Sequence, residues 1–169
     1  MPTSKSSRGS IKVLFLAAEV DPLIKVGGLG DVAGSLPKAM LTLSPANLHG
    51  QHLDLRLAIP YHAGMNIDRW NPELAASFDI PYPEGSLKAQ AFRVNLDGLT
   101  VYVIKAGPIG RPGPVYSMVT QEDGEKFTAF SLAALELARA LDWAPDILHA
   151  NDWHTAAAVY ALALRKERD

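Results

Sequence analysis

A chain of 169 residues with 48% apolar and 20% charged side chains has the size and composition of one folded domain with a substantial core. Its formal net charge of -2 supplies no basic footprint for nucleic acid or an anionic membrane surface. The absence of cysteine excludes a disulfide framework, thiolate catalysis and the commonest structural zinc sites, and it points to the cytoplasm.

Residues 1–10 are rich in Ser, carry Lys5 and Arg8 and lack the apolar core of a secretory signal, so they read as a disordered leader to a domain over 11–169. Ile11 to Ala18 is a nearly continuous apolar run, the pattern of a strand buried on both faces of a parallel sheet. With Glu19 close behind, the stretch is too short and too polar to cross a bilayer. Next comes Lys25-Val26-Gly27-Gly28-Leu29-Gly30-Asp31-Val32, a cation beside a glycine turn that leads into a helix. Glycines let the backbone approach a ligand closely, and the free N–H groups at a helix start favour an anion.

Helical character is expected from about Asp31 to Leu43, broken by Gly34 and Pro37, with Ser35 as N-cap of a second start. Leu53 to Ile59 alternates as a strand and ends at Pro60. Residues 62–86 read largely as an irregular loop, since Pro72, Pro81 and Pro83 argue against regular structure. Ala89–Leu96 and Leu99–Ile104 are strand-like runs joined by Asp97-Gly98, a strong hairpin signal. Gly107 to Pro114 is an irregular loop of glycine and proline.

Thr120 with Asp123 resembles a capping box, and Phe127, Phe130, Leu135, Leu137, Ala138 and Leu141 recur at helical spacing. A long helix to about Leu141 follows. Asp146 to Ala150 is a short strand, and Asn151 or Asp152 caps a last helix through about Lys166. This alternation predicts an α/β fold: a Rossmann-like, doubly wound, mostly parallel sheet carrying a β-hairpin.

Such sheets bind ligands beyond the carboxyl ends of their strands. Glu19, Asp21 and Lys25 fall there after the first strand, Tyr61 and His62 after the second, the Gly107–Gly113 loop after the hairpin, and Asn151, Asp152 and His154 after the last strand. Lys25 reads either as a solvated loop lysine or as an anion contact, and Asp31 either as a helix cap or as a ligand contact. His154 lies in a first helical turn, where the dipole lowers its pKa and keeps the ring neutral. Trp153 beside it reads as a core residue. His52 and His149 have no second partner at metal spacing, so no metal site is assigned. Gly28-Leu29-Gly30-Asp31-Val32-Ala33 fits one form of the dinucleotide fingerprint. Against it, Glu19 to Val26 separates the glycines from the strand, and the second strand closes on Ala58-Ile59-Pro60-Tyr61 without the acidic residue that fingerprint needs.

The stretch from Ala18 through Lys25-Val26-Gly27-Gly28-Leu29-Gly30-Asp31 to Pro37 resembles the amino-terminal signature of bacterial glycogen synthases and plant starch synthases. His149-Ala150-Asn151-Asp152-Trp153-His154 is similar to that family's second landmark, and Phe127 to Glu136 is similar to the helix between them. The likeness covers roughly residues 11–164. The chain departs from the family pattern at Asn151, where His is commoner, and at Glu122-Asp123, where Asp-Asn is usual.

The resemblance implies a partial amino-terminal catalytic domain, one incomplete half of a GT-B glycosyltransferase. That enzyme transfers glucose from ADP-glucose or UDP-glucose to the non-reducing end of an α-1,4-glucan with retention and without a further cofactor. It also implies that Lys25 and His154 are catalytic, and that Lys25, Gly27, Gly28 and Asp31 bind the donor. Glu19, Asp21, Tyr61, Asn151 and Asp152 would line the acceptor and sugar cleft. A carboxyl-terminal Rossmann-like domain would be the partner, without which this chain is expected to be inactive. Two other classes stay open: a non-catalytic glucan-binding or regulatory module derived from the family, and a nicotinamide-dependent oxidoreductase domain.

Overall fold

A computed structural model describes residues 9–83 and 85–166. Most of the expected leader lies outside the described residues, and Ser10, assigned to it from sequence, already opens the first strand.

Among the described residues, six strands form one sheet: β1 (Ser10–Leu16), β2 (His52–Pro60), β3 (Glu73–Tyr82), β4 (Gly85–Leu96), β5 (Leu99–Ala106) and β6 (Ile147–Ala150), in the order β3-β4-β5-β2-β1-β6. β6, β1, β2 and β5 run parallel, whereas β4 pairs antiparallel with both β5 and β3. The apolar run of β1 serves both faces. Val13, Phe15 and Ala17 pack with Leu57, Ile59 and Val103 toward α1 (Gly28–Leu41), which contributes Ala33. Leu14 and Leu16 pack with Ala58 and Ile104 toward α2 (Thr120–Ala140), which contributes Phe130, Ala133, Ala134 and Leu137. The doubly wound, mostly parallel α/β architecture predicted from sequence is the one observed.

Four local expectations are corrected. α1 is one continuous helix with Pro37 inside it, and Ser35 caps nothing: its hydroxyl donates to the Asp31 carbonyl one turn back. Residues 62–86 hold a 3₁₀ turn (Ile67–Trp70) and the whole of β3. β3 lies on the sheet edge, where Pro81 pairs opposite Ser86 and where strands tolerate proline. α2 begins at Thr120 with Val119, which has no side-chain acceptor, at its N-cap, and the Asp123 carboxylate accepts from the Ser117 amide instead of forming a capping box with Thr120. The last helix, α3 (Ala156–Lys166), is preceded by a 3₁₀ turn (Trp153–Thr155) that Asp152, not Asn151, caps by accepting from the Trp153 amide. At the β4–β5 hairpin, Asp97 and Gly98 both take positive φ, 52° and 91°, the turn the Asp-Gly pair predicts.

β2 lies on one side of β1 and β6 on the other, so the direction of winding reverses at β1. The crevice outside the carboxyl ends of β1 and β6 is the switch point where such sheets take ligands.

Candidate active site

The loop leaving β1 folds back over the start of α1, and the glycines of that helix make this possible. A Cβ on Gly34 would stand 2.8 Å from the backbone oxygen of Asp21, and one on Gly30 would stand 3.0 Å from Lys25 Cγ and 3.3 Å from Glu19 Oε2. The Asp21 amide donates to the Gly30 carbonyl at 3.0 Å, which fixes the loop on the helix.

Glu19 is 1% exposed and accepts three hydrogen bonds. Its Oε2 accepts from the amides of Val26 and Gly27, and its Oε1 accepts from the Tyr116 hydroxyl at 3.1 Å. A carboxylate at a helix start satisfies amides that have no partner within the helix and favours the dipole. Two of the glycine-turn amides are thereby occupied by the protein itself. The sequence-based view of a wholly open anion cradle narrows to Gly28 and Leu29, which line the cleft at the first turn of α1.

Lys25 stands beside this turn, 43% exposed, with its Nζ donating to Asp31. That hydrogen bond, with the Asp31 charge, raises the lysine pKa above its ordinary value and outweighs the opposing desolvation. Asp31 is therefore the lysine's counter-ion in this state rather than a cap; Gly27 holds the N-cap position.

His154 closes the other side. It is 5% exposed, set in an aromatic surround of Trp153 at 4.1 Å, Phe127 at 4.6 Å and Tyr116 at 4.9 Å between ring centroids. Burial pushes its pKa below the usual histidine value, against the pull of Asp152, Asp123 and Glu19. The neutral ring expected from sequence follows, with burial as the leading cause where sequence reasoning named the helix dipole. Its Nδ1 is buried without a hydrogen-bond partner among the described residues.

Glu19, Gly27, Gly28, Asp152 and His154 line one cleft of about 590 Å³. Lys25 and Asp31, paired with each other beside the glycine turn, are not among the residues that line it, and three more of the expected site residues serve elsewhere. Tyr61 lines a separate cavity of about 100 Å³ with His62, Arg111 and Lys126. Asn151 turns its amide onto the carbonyls of Leu16 and His149, joining β6 to the end of β1. Asp21 supports α1 through its backbone and is not among the cleft-lining residues. Trp153, assigned to the core, is 55% exposed and lines the cleft. His62, placed near the site by sequence, bonds the Ala18 carbonyl through Nε2 at 2.8 Å, and burial lowers its pKa.

Sequence reasoning missed Tyr116 and Asp123, both cleft-lining. Burial, followed by the Glu19 charge and hydrogen bond, holds the Tyr116 phenol well above its usual pKa, so it is protonated and donating. Tyr116 sits in a glycine- and proline-rich loop and touches Glu19 across 97 positions of sequence, so no local pattern marks it.

Against known proteins, residues 12–169 match the family model described as the starch synthase catalytic domain. A glycogen synthase of Vibrio atlanticus is 34% identical over 163 residues, covering 94% of this chain and 31% of that protein. One of Lacticaseibacillus casei is 33% identical, covering 86% of this chain and 29% of that protein. Among solved structures, the catalytic domain of starch synthase IV from Arabidopsis thaliana, bound to ADP and acarbose, superposes with a TM-score of 0.74 at 31% identity, covering 93% of this chain and 31% of that one. The chain thus spans about a third of the length of these relatives. With its switch-point crevice, its glycine-started helix and a match running over nearly its whole length, this chain belongs to the starch synthase catalytic domain family.

Proposed function

We propose that this chain is part of a retaining glucosyltransferase of the cytoplasm. The enzyme moves glucose from ADP-glucose or UDP-glucose to the non-reducing end of an α-1,4-glucan, acting with a second Rossmann-like domain and needing no metal or organic cofactor. The observation that carries the reading is one crevice lined on one side by Gly27 and Gly28, two residues on from Lys25 at the start of α1, and on the other by the buried His154. The Arabidopsis relative bound to ADP supports a diphosphate ligand for the same fold.

Departure of a nucleoside diphosphate builds negative charge on its leaving oxygen. The first-turn amides of α1 and the Lys25 ammonium, released from Asp31, stabilise that charge where it develops. The glucosyl unit, with oxocarbenium character, lies toward Asp152 and His154, whose neutral ring adds no positive charge beside it. Glu19 acts in this scheme from behind, by holding the turn in place.

The test is Lys25→Ala in the full-length enzyme that carries this chain, with transfer of labelled glucose from each nucleotide sugar to glycogen measured at saturating donor. Turnover is expected to fall about 10²–10³-fold, the scale of losing one charge-stabilising donor. Unchanged turnover refutes the role.

A further inference from the structure

The first two turns of α2 carry a buried ion pair whose position the cleft chemistry above leaves unused. Lys126 Nζ lies 2.8 Å from Asp123 Oδ1, with the two side chains only 12% and 7% exposed. Both halves reach outward to the same short stretch of backbone. The Asp123 carboxylate accepts from the Ser117 amide, at 3.1 Å to Oδ1 and 3.0 Å to Oδ2. Lys126 Nζ donates to the Val115 carbonyl at 2.6 Å. The residue between these two anchor points is Tyr116, whose hydroxyl donates to Glu19 Oε1 and whose ring packs 4.9 Å from that of His154.

We infer that Asp123 and Lys126 are positioning residues: they clamp the backbone on either side of Tyr116, and through Tyr116 they set Glu19, the glycine turn and the His154 ring in mutual register. The proposal rests on the glucosyltransferase reading for its kinetic consequence but not for its structural one.

Three features favour a clamp over an ordinary core contact. The pair is local, three residues apart on one helix, so it needs no backbone ligand to form; yet each member also bonds backbone of the preceding loop. The loop it holds contains Gly107, Gly110 and Gly113 with φ of 39°, 96° and 145°, together with Pro108, Pro112 and Pro114, and has no strand or helix to fix its course. Finally, the only bond from the Tyr116 hydroxyl among the described residues goes to Glu19, the residue that gathers the Val26 and Gly27 amides. Removing one partner of a buried pair leaves the other charge uncompensated and does most damage locally. Removing both together with side chains of similar shape does less.

The experiment uses the full-length enzyme and four variants: Lys126→Met, Asp123→Asn, the double variant, and Lys126→Arg. Hydrogen exchange of peptides covering residues 115–119 reports the clamp, with peptides from β1 and β2 as the control for folding. Lys126→Met is expected to raise exchange at 115–119 by tenfold or more with the control unchanged. The double variant should recover part of that loss, and Lys126→Arg should match the wild type.

In glucose transfer, Lys126→Met is expected to lower kcat about 10²-fold with a small change in donor KM, the signature of misplacement rather than lost binding. Unchanged exchange at 115–119 in Lys126→Met, or a double variant no better than the single ones, overturns the clamp. Altered exchange with unaltered kcat overturns its catalytic consequence. Should the wild type transfer no glucose, the function reading fails, and the exchange measurements still decide the clamp. If Lys126→Met does not fold by the control peptides, Asp123→Asn carries the same comparison, since it keeps an acceptor for the Ser117 amide while losing the charge.

Discussion

Gly34 offers a sharp test of how the glycine-bearing loop is held. Alanine is favoured over glycine inside a helix by about 1 kcal/mol, so on propensity alone Gly34→Ala in α1 would stabilise the protein. The structure reverses that sign. The new methyl group would stand 2.8 Å from the Asp21 backbone oxygen and 3.5 Å from Asp21 Cβ. The oxygen cannot swing aside, because the Asp21 amide is bonded to Gly30 and the adjoining turn is closed by paired bonds between Val20 and Ile24 at 3.0 Å. Forcing a methyl into packed structure costs about 1–3 kcal/mol, and a 2.8 Å contact with backbone puts this case in the upper part, about 2–3 kcal/mol, which outweighs the propensity gain and leaves a net loss of about 1–2 kcal/mol. For a domain of this size that lowers Tm by about 2–8 °C. Gly124, on the exposed side of α2 with open space at its Cβ position, is the matched control. Gly124→Ala should gain about 0.5–1 kcal/mol. Urea titration of both variants reads midpoint shifts of opposite sign at constant slope. A Gly34→Ala protein as stable as the wild type, with Gly124→Ala improved as expected, would refute the reasoning.

Three further outcomes follow from the same geometry. Glu19→Gln replaces an acceptor of three bonds by a group whose amide nitrogen must face a donor, so stability should fall by about 1–3 kcal/mol in thermal unfolding; an unaltered Tm would show that the carboxylate is not what organises the turn. His154 titrates below 6.5 in the folded chain, so between its folded value and 6.5 only the unfolded chain takes the proton. Stability from this source is complete above that window and is lost as the pH falls through it, with His62 acting in the same direction. An imidazole NMR titration placing His154 at or above 6.5 would contradict the burial argument. Gly98→Ala puts a Cβ at φ 91° in the hairpin turn and should destabilise by about 1 kcal/mol or more, measured by urea titration.

Much of this was legible in the chain itself, for physical reasons that also mark where legibility ends. Strands buried on both faces, such as Ile11–Leu16, write their position as an apolar run, and Asp97-Gly98 writes its turn as a pair able to take positive φ. β3 left no such trace: an edge strand half open to solvent needs no apolar continuity and tolerates Pro81, so it looks like a loop. In the site, positions tied to local backbone geometry could be read, as with Gly27 and Gly28, which line the cleft. Tyr116 and Asp123 could not, since their roles arise from contacts made only after the 107–118 loop is laid over the cleft. Trp153 misled because aromatic character alone does not distinguish a core ring from one flanking an opening.

The ion pair of Lys25 with Asp31 leaves the ammonium already answered by one carboxylate, beside the glycine turn and outside the lining of the cleft, which itself carries Glu19, Asp123 and Asp152. A halide or a monocarboxylate offers the ammonium no more than it already holds, and would leave Asp31 stranded beside it. A ligand with two or more adjoining negative charges can take the lysine and engage the helix start at once, so it alone recovers what the exchange gives up. On the donor reading proposed above, this pair favours a diphosphate over a single small anion at the lysine.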